Sequence, residues 1–189
     1  MTALSGEEKQ VLLEQARLMI ATELKGGGAA KRPEIISANL MEKRGCFVTL
    51  HKQKDLRGCI GTIEPITPLL DCVRENAFNA AFRDPRFPEV KEKELPEIDI
   101  EISVLTVPQT LMFEDGEDLK NKLKPGIHGV IISRGIQRAT FLPQVWEQLP
   151  DKEAFLDHLS QKGGMPKKSW REKGTTIQVY EVTYFSEEG

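Results

Sequence analysis

Three stretches carry residue types able to do chemistry. The first is Asp55-Leu56-Arg57-Gly58-Cys59-Ile60-Gly61-Thr62-Ile63-Glu64-Pro65, an apolar strand pattern broken by an arginine, a thiol and two glycines. Such departures from local propensity are expected at functional or strained sites. Side chains alternate between the faces of a strand. Leu56, Gly58 and Ile60 are therefore expected on one face, and Arg57, Cys59 and Gly61 on the other. That spacing brings guanidinium and sulfur within about 7 Å. A fixed cation beside a thiol favours the thiolate, which attacks electrophiles or binds metal. Gly58 and Gly61 leave room for a ligand or another backbone. The same residues also fit a plain core strand, because free cysteine is among the most buried residue types.

The second stretch is Arg83-Asp84-Pro85-Arg86-Phe87-Pro88. Two prolines stiffen it. A rigid loop bearing Arg83, Asp84 and Arg86 can hold an anionic or polar ligand; it can equally be an internal Arg–Asp bridge that fixes a turn. The third is Pro125-Gly126-Ile127-His128-Gly129. His128, lying between Gly126 and Gly129 at the mouth of a strand, suits a general acid or base, or a turn residue bonded to backbone. Gln144 can read a polar ligand through its amide, whereas Trp146 reads as packing. His51 belongs near a hairpin turn, as a surface residue or a functional one.

Metal and cofactor signals are weak. Cys46, Cys59 and Cys72 are evenly spaced, which reads as chance, and no pair has zinc-knuckle spacing. The chain has three histidines, none paired at helical spacing, so no structural metal is expected. A metal gathered from distant residues, such as Cys59 with His51 or His128, stays open. Gly26-Gly27-Gly28 lacks a preceding strand and the lysine–hydroxyl ending of a phosphate loop, so it reads as a connector. No nucleotide loop or iron–sulfur cysteine run is present, and the cofactor is unknown.

The elements that must position these groups follow from periodicity. Ser5-Gly6-Glu7-Glu8 fits a capping box. Behind it Leu12, Ala16, Met19, Ile20 and Leu24 predict a helix over 6–25. A loop over 29–44 leads to strands over 46–51 and 56–63, joined by a link short enough for a hairpin. Thr67-Pro68 predicts a helix start, with a capping hydroxyl and then proline, and a small apolar face runs on to Arg83. Alternation predicts a strand over 99–105. Further on come a short helix near 117–123, strands over 130–133 and 138–141, a helix over 152–161 capped by Asp151, and a closing strand over 176–185. Strands and helices without regular βαβ alternation predict an α+β fold of mainly antiparallel sheets with helices on one face.

Composition sets the outer bounds. At 189 residues the chain is one domain, or one domain of two lobes. A net charge of −3 argues against broad nucleic-acid or acidic-membrane binding. No run approaches the roughly 20 apolar residues of a membrane span. Glu7 and Glu8 precede any apolar stretch, unlike a signal peptide. Together with three cysteines, an odd number, this points to a reducing cytoplasm.

Leu56-Arg57-Gly58-Cys59-Ile60-Gly61 resembles the signature hexapeptide of the AMMECR domain family. The resemblance continues in order through Gly45-Cys46-Phe47-Val48-Thr49-Leu50, Asp84-Pro85-Arg86-Phe87-Pro88, Ile100-Glu101-Ile102-Ser103-Val104-Leu105, Gly126-Ile127-His128-Gly129-Val130 and Ala139-Thr140-Phe141-Leu142-Pro143-Gln144-Val145-Trp146. It implies a single AMMECR-type domain over 1–189, with a larger and a smaller subdomain and a cleft between them. It also implies an association with a Memo-like protein and a radical-SAM protein. Lys162 stands where the family tends to have a lysine. Ser160 and Gly163 depart from the cysteine and alanine that relatives often carry beside it.

Three functions are weighed. The first is an enzyme, or enzyme-associated component, acting on a small polar or anionic substrate in a cleft lined by Cys59. Cys59 would be nucleophile or thiol ligand, His128 the proton carrier, and Arg57 and Arg86 the charge holders. The second is a binding or adaptor module for a Memo-like or radical-SAM partner, working through the 83–88 loop. The third, ranked last because the chain is acidic, is RNA binding through Lys162, Lys167, Lys168, Trp170, Arg171 and Lys173.

Overall fold

Ser5 opens the longest helix in the way its sequence predicts. In the computed structural model, which describes residues 3–34 and 36–187, the Ser5 hydroxyl accepts from the Glu8 N–H and the Glu8 carboxylate accepts from the Ser5 N–H. The elements run α1 (Gly6–Leu24), β1 (Cys46–Lys52), β2 (Asp55–Thr62), α2 (Leu69–Phe82), β3 (Ile98–Leu105), β4 (Gln109–Thr110), α3 (Gly116–Lys122), β5 (Gly129–Arg134), β6 (Gln137–Phe141), α4 (Val145–Gln148), α5 (Lys152–Lys162), β7 (Thr176–Tyr180) and β8 (Val182–Ser186). The fold is α+β, with strand pairs mainly antiparallel.

The chain divides into two compact units, Met1–Val107 with Thr183–Gly189, and Pro108–Val182. In the first, the sheet order is β2-β1-β3-β8. Cys46, Val48 and Leu50 of β1 and Ile100 and Ile102 of β3 are fully buried with Leu12, Ala16 and Ile20 of α1 and Leu69, Val73 and Ala77 of α2. Helices thus cover one face of this sheet. Arg17 of α1 donates to Leu95 O and Ile98 O and pairs with Glu187 at 2.5 Å, which ties helix, sheet and the end of β8 together.

In the second unit the sheet order is β4-β7-β5-β6. Val130, Ile132, Phe155, Leu156, Trp170 and Ile177 form its core, and Trp146 stacks on Phe155 with ring centroids 3.6 Å apart. Asp151 caps α5 as expected, accepting from the Ala154 N–H at 2.8 Å.

Several expectations need correction. Pro68, and not Thr67, is the capping position of α2, and it makes no side-chain cap bond. The closing strand is two strands, β7 and β8, broken at Glu181 and sent to different sheets. The 29–44 loop contains a 3₁₀ turn at Asn39–Met41, and its Ile35 lies outside the described residues. The β1–β2 link is a two-residue turn in which Gln53 and Lys54 both have positive φ, 53° and 70°. Hairpin turns of this kind match the twist of the flanking strands but usually draw Asn and Gly.

Candidate functional site

Cys59 lies on β2, the edge strand of the first sheet. Edge strands leave backbone N–H and C=O groups unpaired, and proteins manage that liability explicitly. Here the management falls to Asp84 and Arg86. The Cys59 N–H donates to Asp84 Oδ2 at 2.9 Å, and Arg86 Nη2 donates to the Cys59 carbonyl at 3.0 Å. Arg86 also clasps the Asp84 carboxylate through Nε at 2.9 Å and Nη2 at 2.7 Å, while its own N–H donates to Oδ1. One acid–base pair thus takes the place of a missing strand at a single peptide position. The internal Arg–Asp bridge expected of the 83–88 loop is present, and it is also bound to the cysteine backbone.

The sulfur points to the sheet face away from the helices. Thr49 lies opposite Cys59 in the ladder, and its hydroxyl is 3.3 Å from Cys59 Sγ. Cys59 is half-buried, whereas Cys46 and Cys72 are buried. The Asp84 side chain is 1% exposed and that of Arg86 is 54% exposed. Arg86 therefore reaches from a sealed carboxylate into solvent.

Arg57 does not share this site. The β1–β2 ladder passes from Leu50↔Gly58 to His51↔Leu56, so Arg57 is the extra residue of a β-bulge. A bulge breaks alternation and re-aims side chains. Leu56 accordingly leaves the Gly58 face and is 43% exposed. The Arg57 guanidinium donates to Glu94 through Nε at 3.2 Å and Nη2 at 3.1 Å, and to the Glu89 carbonyl. The cation linked to Cys59 is Arg86: its pKa is raised chiefly by the hydrogen bond to Asp84, with the Cys59 side chain contributing less.

The two glycines are filled by protein. A Cβ on Gly58 would lie 2.2 Å from the Ala80 carbonyl oxygen, so α2 packs directly on this strand. A Cβ on Gly61 would lie 2.1 Å from the Phe47 ring. Arg83 is exposed and stacks its guanidinium over Phe78 at 4.9 Å.

The remaining expected site residues belong to the second unit, where their described bonds are local. His128 is 8% exposed; its Nδ1 accepts from the Lys124 N–H at 3.3 Å and its carbonyl accepts from Trp146 Nε1 at 2.7 Å. Burial and then Lys124 push its pKa down. Gly129 leaves space for the Tyr180 ring, 2.4 Å from where its Cβ would be, so the bulk-free mouth expected around His128 is packed. Gln144 is exposed at the start of α4. Lys162 donates to the Thr140 carbonyl at 2.9 Å and lies over Phe141. Trp170 is fully buried and donates to Asp157, which removes the aromatic from the basic segment's expected nucleic-acid surface.

Thr49 and Glu94 are the contributors that sequence reasoning missed. Counting back from the two-residue turn without a bulge places Thr49 opposite Gly58, and only the bulge brings it to Cys59. Glu94 lies 37 positions from Arg57, in a 3₁₀ helix over Glu92–Glu97 whose sequence, Glu-Lys-Glu-Leu-Pro-Glu, shows no strand or α-helical rhythm.

Both acids of the edge are held below the ordinary carboxylate range. Asp84 is lowered first by its Arg86 hydrogen bond and then by the Cys59 N–H, against the opposing effect of burial. Glu94 is lowered to about 2, first by Arg57. A carboxylate depressed on folding gives stability that is whole above its unfolded value and is lost as pH falls through its folded value. Urea midpoints are therefore expected to fall steeply between pH 4.5 and about 2, the unfolded and folded values for Glu94. The same profile should be visibly flatter in a Glu94→Gln variant.

The chain is thus a two-unit α+β protein whose first unit carries a half-buried thiol on a bulged edge strand, clamped by a buried Asp and a half-exposed Arg. The family model described as AMMECR1 matches residues 13–185, and the chain belongs to that family. A protein of Methanothermobacter thermautotrophicus is 39% identical, covering 98% of this chain and 97% of its own length. Protein MJ0810 of Methanocaldococcus jannaschii is also 39% identical, covering 99% of this chain and 94% of its own. The crystal structure of an uncharacterized protein, PH0010 from Pyrococcus horikoshii, superposes with a TM-score of 0.87 at 36% identity, covering 98% of this chain and 94% of that one. Among the described residues no helix is long and apolar enough to cross a membrane.

Proposed function

We propose that the chain is an enzyme, or an enzyme-associated component, that engages a small polar or anionic substrate at Cys59. Cys59 acts as nucleophile or thiol ligand, the Thr49 hydroxyl orients the sulfur, and Arg86 presents positive charge to the incoming group. The observation that carries this reading is the position of the sulfur: half-buried and beside a guanidinium whose other contacts already fix the strand. Asp84 acts by positioning, since its carboxylate is sealed and its oxygens are used by Cys59 N–H and Arg86. His128 belongs to the second unit, and its bonds to the Lys124 N–H and Trp146 Nε1 favour the turn role over that of proton carrier. The test is to incubate the protein with the small-molecule fraction of a cell extract and follow depletion by mass spectrometry. Cys59→Ser should abolish turnover with the melting temperature nearly unchanged; turnover by that variant removes the nucleophile assignment.

A second reading draws on a different observation. The Thr49 hydroxyl donates to the Cys59 sulfur, and the Asp84 carboxylate beside it is taken up by the Cys59 N–H and Arg86 and not by the thiol. A non-catalytic binding module for a Memo-like or radical-SAM partner, working through the exposed Arg83 and Arg86, fits that arrangement. Recovery of such a partner in a pull-down, lost on Arg83→Ala, supports it. Retention by that variant counts against it.

A further inference from the structure

The buried face of the same sheet holds a second sulfur site that the Cys59 reading does not use. Cys46 of β1 and Cys72 of α2 are 0% and 2% exposed, and their sulfurs are 3.0 Å apart. A disulfide sets its sulfurs about 2.05 Å apart, so closing the bond takes a movement of about 1 Å between two elements already in contact. The pair sits in the apolar core beside one buried polar side chain, Asn76. The Asn76 amide donates to Cys72 Sγ at 3.3 Å, to Cys46 Sγ at 3.5 Å and to the Cys46 carbonyl at 3.3 Å. These bonds differentiate the two thiols. Burial pushes the Cys46 thiol up, whereas the hydrogen bond from Cys46 pulls the Cys72 thiol down, with the Thr67 hydroxyl adding a smaller effect.

We propose that Cys46 and Cys72 are a redox-active dithiol, oxidised by a small peroxide to a disulfide that fastens α2 to β1. Hydrogen peroxide is close to water in size and enters on local opening of the unit. The Cys72 thiolate attacks one peroxide oxygen, the O–O bond breaks, and hydroxide leaves and takes the thiol's proton as water. The Cys72 sulfenic acid so formed is attacked by the Cys46 sulfur. The S–S bond forms as the S–O bond breaks, and the second proton leaves with hydroxide as a second water. Two thiols and one peroxide thus give one disulfide and two waters, with the peroxide as the species reduced. The bridge joins residues 26 apart in sequence, which restricts the unfolded chain. It also locks the helix whose far end leads into the loop that clamps Cys59.

The natural protein tests this without a variant. Cys59 is first capped with N-ethylmaleimide, and the protein is then exposed to hydrogen peroxide. The expected result is loss of the mass of two hydrogens, recovery of a Cys46–Cys72 cross-linked peptide, and a melting temperature that rises and returns with dithiothreitol. Oxygen added to either sulfur without cross-linking overturns the proposal. So does survival of both thiols at a dose that oxidises them in the urea-unfolded chain. Neither outcome depends on whether Cys59 is catalytic.

Discussion

Gly58→Ala is expected to destabilise the first unit by about 3 kcal/mol, at the upper end of what overpacking costs. An added methyl carbon would meet the Ala80 carbonyl oxygen at 2.2 Å, and the nearest three atoms are all Ala80 backbone. Backbone cannot rotate away as a side chain can, so either α2 lifts from the sheet or β2 bends. Removing a strand glycine would otherwise gain roughly 0.5–1 kcal/mol by reducing unfolded-chain entropy. That gain is too small to change the sign. Gly61→Ala offers the control. Its Cβ meets the side chain of Phe47, a half-buried ring able to turn, so its cost should be about 1–2 kcal/mol. For a chain of this length 1 kcal/mol moves the melting temperature by roughly 2–4 °C, which makes the ordering of the two variants readable in a thermal scan. Equal losses would contradict the direct packing of helix on strand.

Asp84→Ala carries the second large effect. The substitution leaves the Cys59 N–H without its acceptor and takes three bonds from Arg86, two from its guanidinium and one from its backbone N–H. An orphaned buried donor costs about 1–3 kcal/mol, and loss of the charged partner adds to it. We expect about 2–4 kcal/mol in all. The ion pair itself accounts for little of this. The Arg86 side chain is 54% exposed, so water screens it, and a double-mutant cycle between Asp84 and Arg86 should return a coupling of about 1 kcal/mol, as for surface pairs. Asp84→Asn should recover part of the loss, because its side-chain oxygen still accepts from Cys59. A coupling several-fold larger would mean that the clamp is held by charge rather than by satisfaction of the strand edge.

The difference between what was legible in the sequence and what was not has a physical pattern. The Ser5–Glu8 capping box, the 3.6-residue rhythm of α1, the alternation of β3 and the Asp151 cap are local rules, and each is found where the sequence places it. The bulge at Arg57 shows only in the pairing with β1, and the guanidinium it re-aims is bonded to Glu94, 37 positions away. Its single extra residue is enough to separate Arg57 from Cys59, to expose Leu56 and to bring Thr49 opposite the sulfur. The split between β7 and β8 is of the same kind: apolar alternation runs through Glu181, but the strand leaves one sheet for another there. The even spacing of the cysteines read as chance, yet it is the third dimension that joins Cys46 to Cys72 and leaves Cys59 on the opposite face. Asp84 and Arg86 were legible as a pair. Their hold on the Cys59 peptide was not, because main-chain partners leave no mark on residue type.

Thiol alkylation with paired reagents tests the site most directly. Folded protein treated with neutral iodoacetamide should lose one thiol, mapped to Cys59, while Cys46 and Cys72 react only after unfolding. Iodoacetate, the anionic counterpart, should gain about fivefold over the neutral reagent, as expected for one unit charge about 4 Å away in water. Added salt or Arg86→Gln should remove that preference. Folded protein in which Cys59 stays as inert as Cys46 and Cys72, with all three reacting once the chain is unfolded, would contradict an accessible thiol beside a guanidinium.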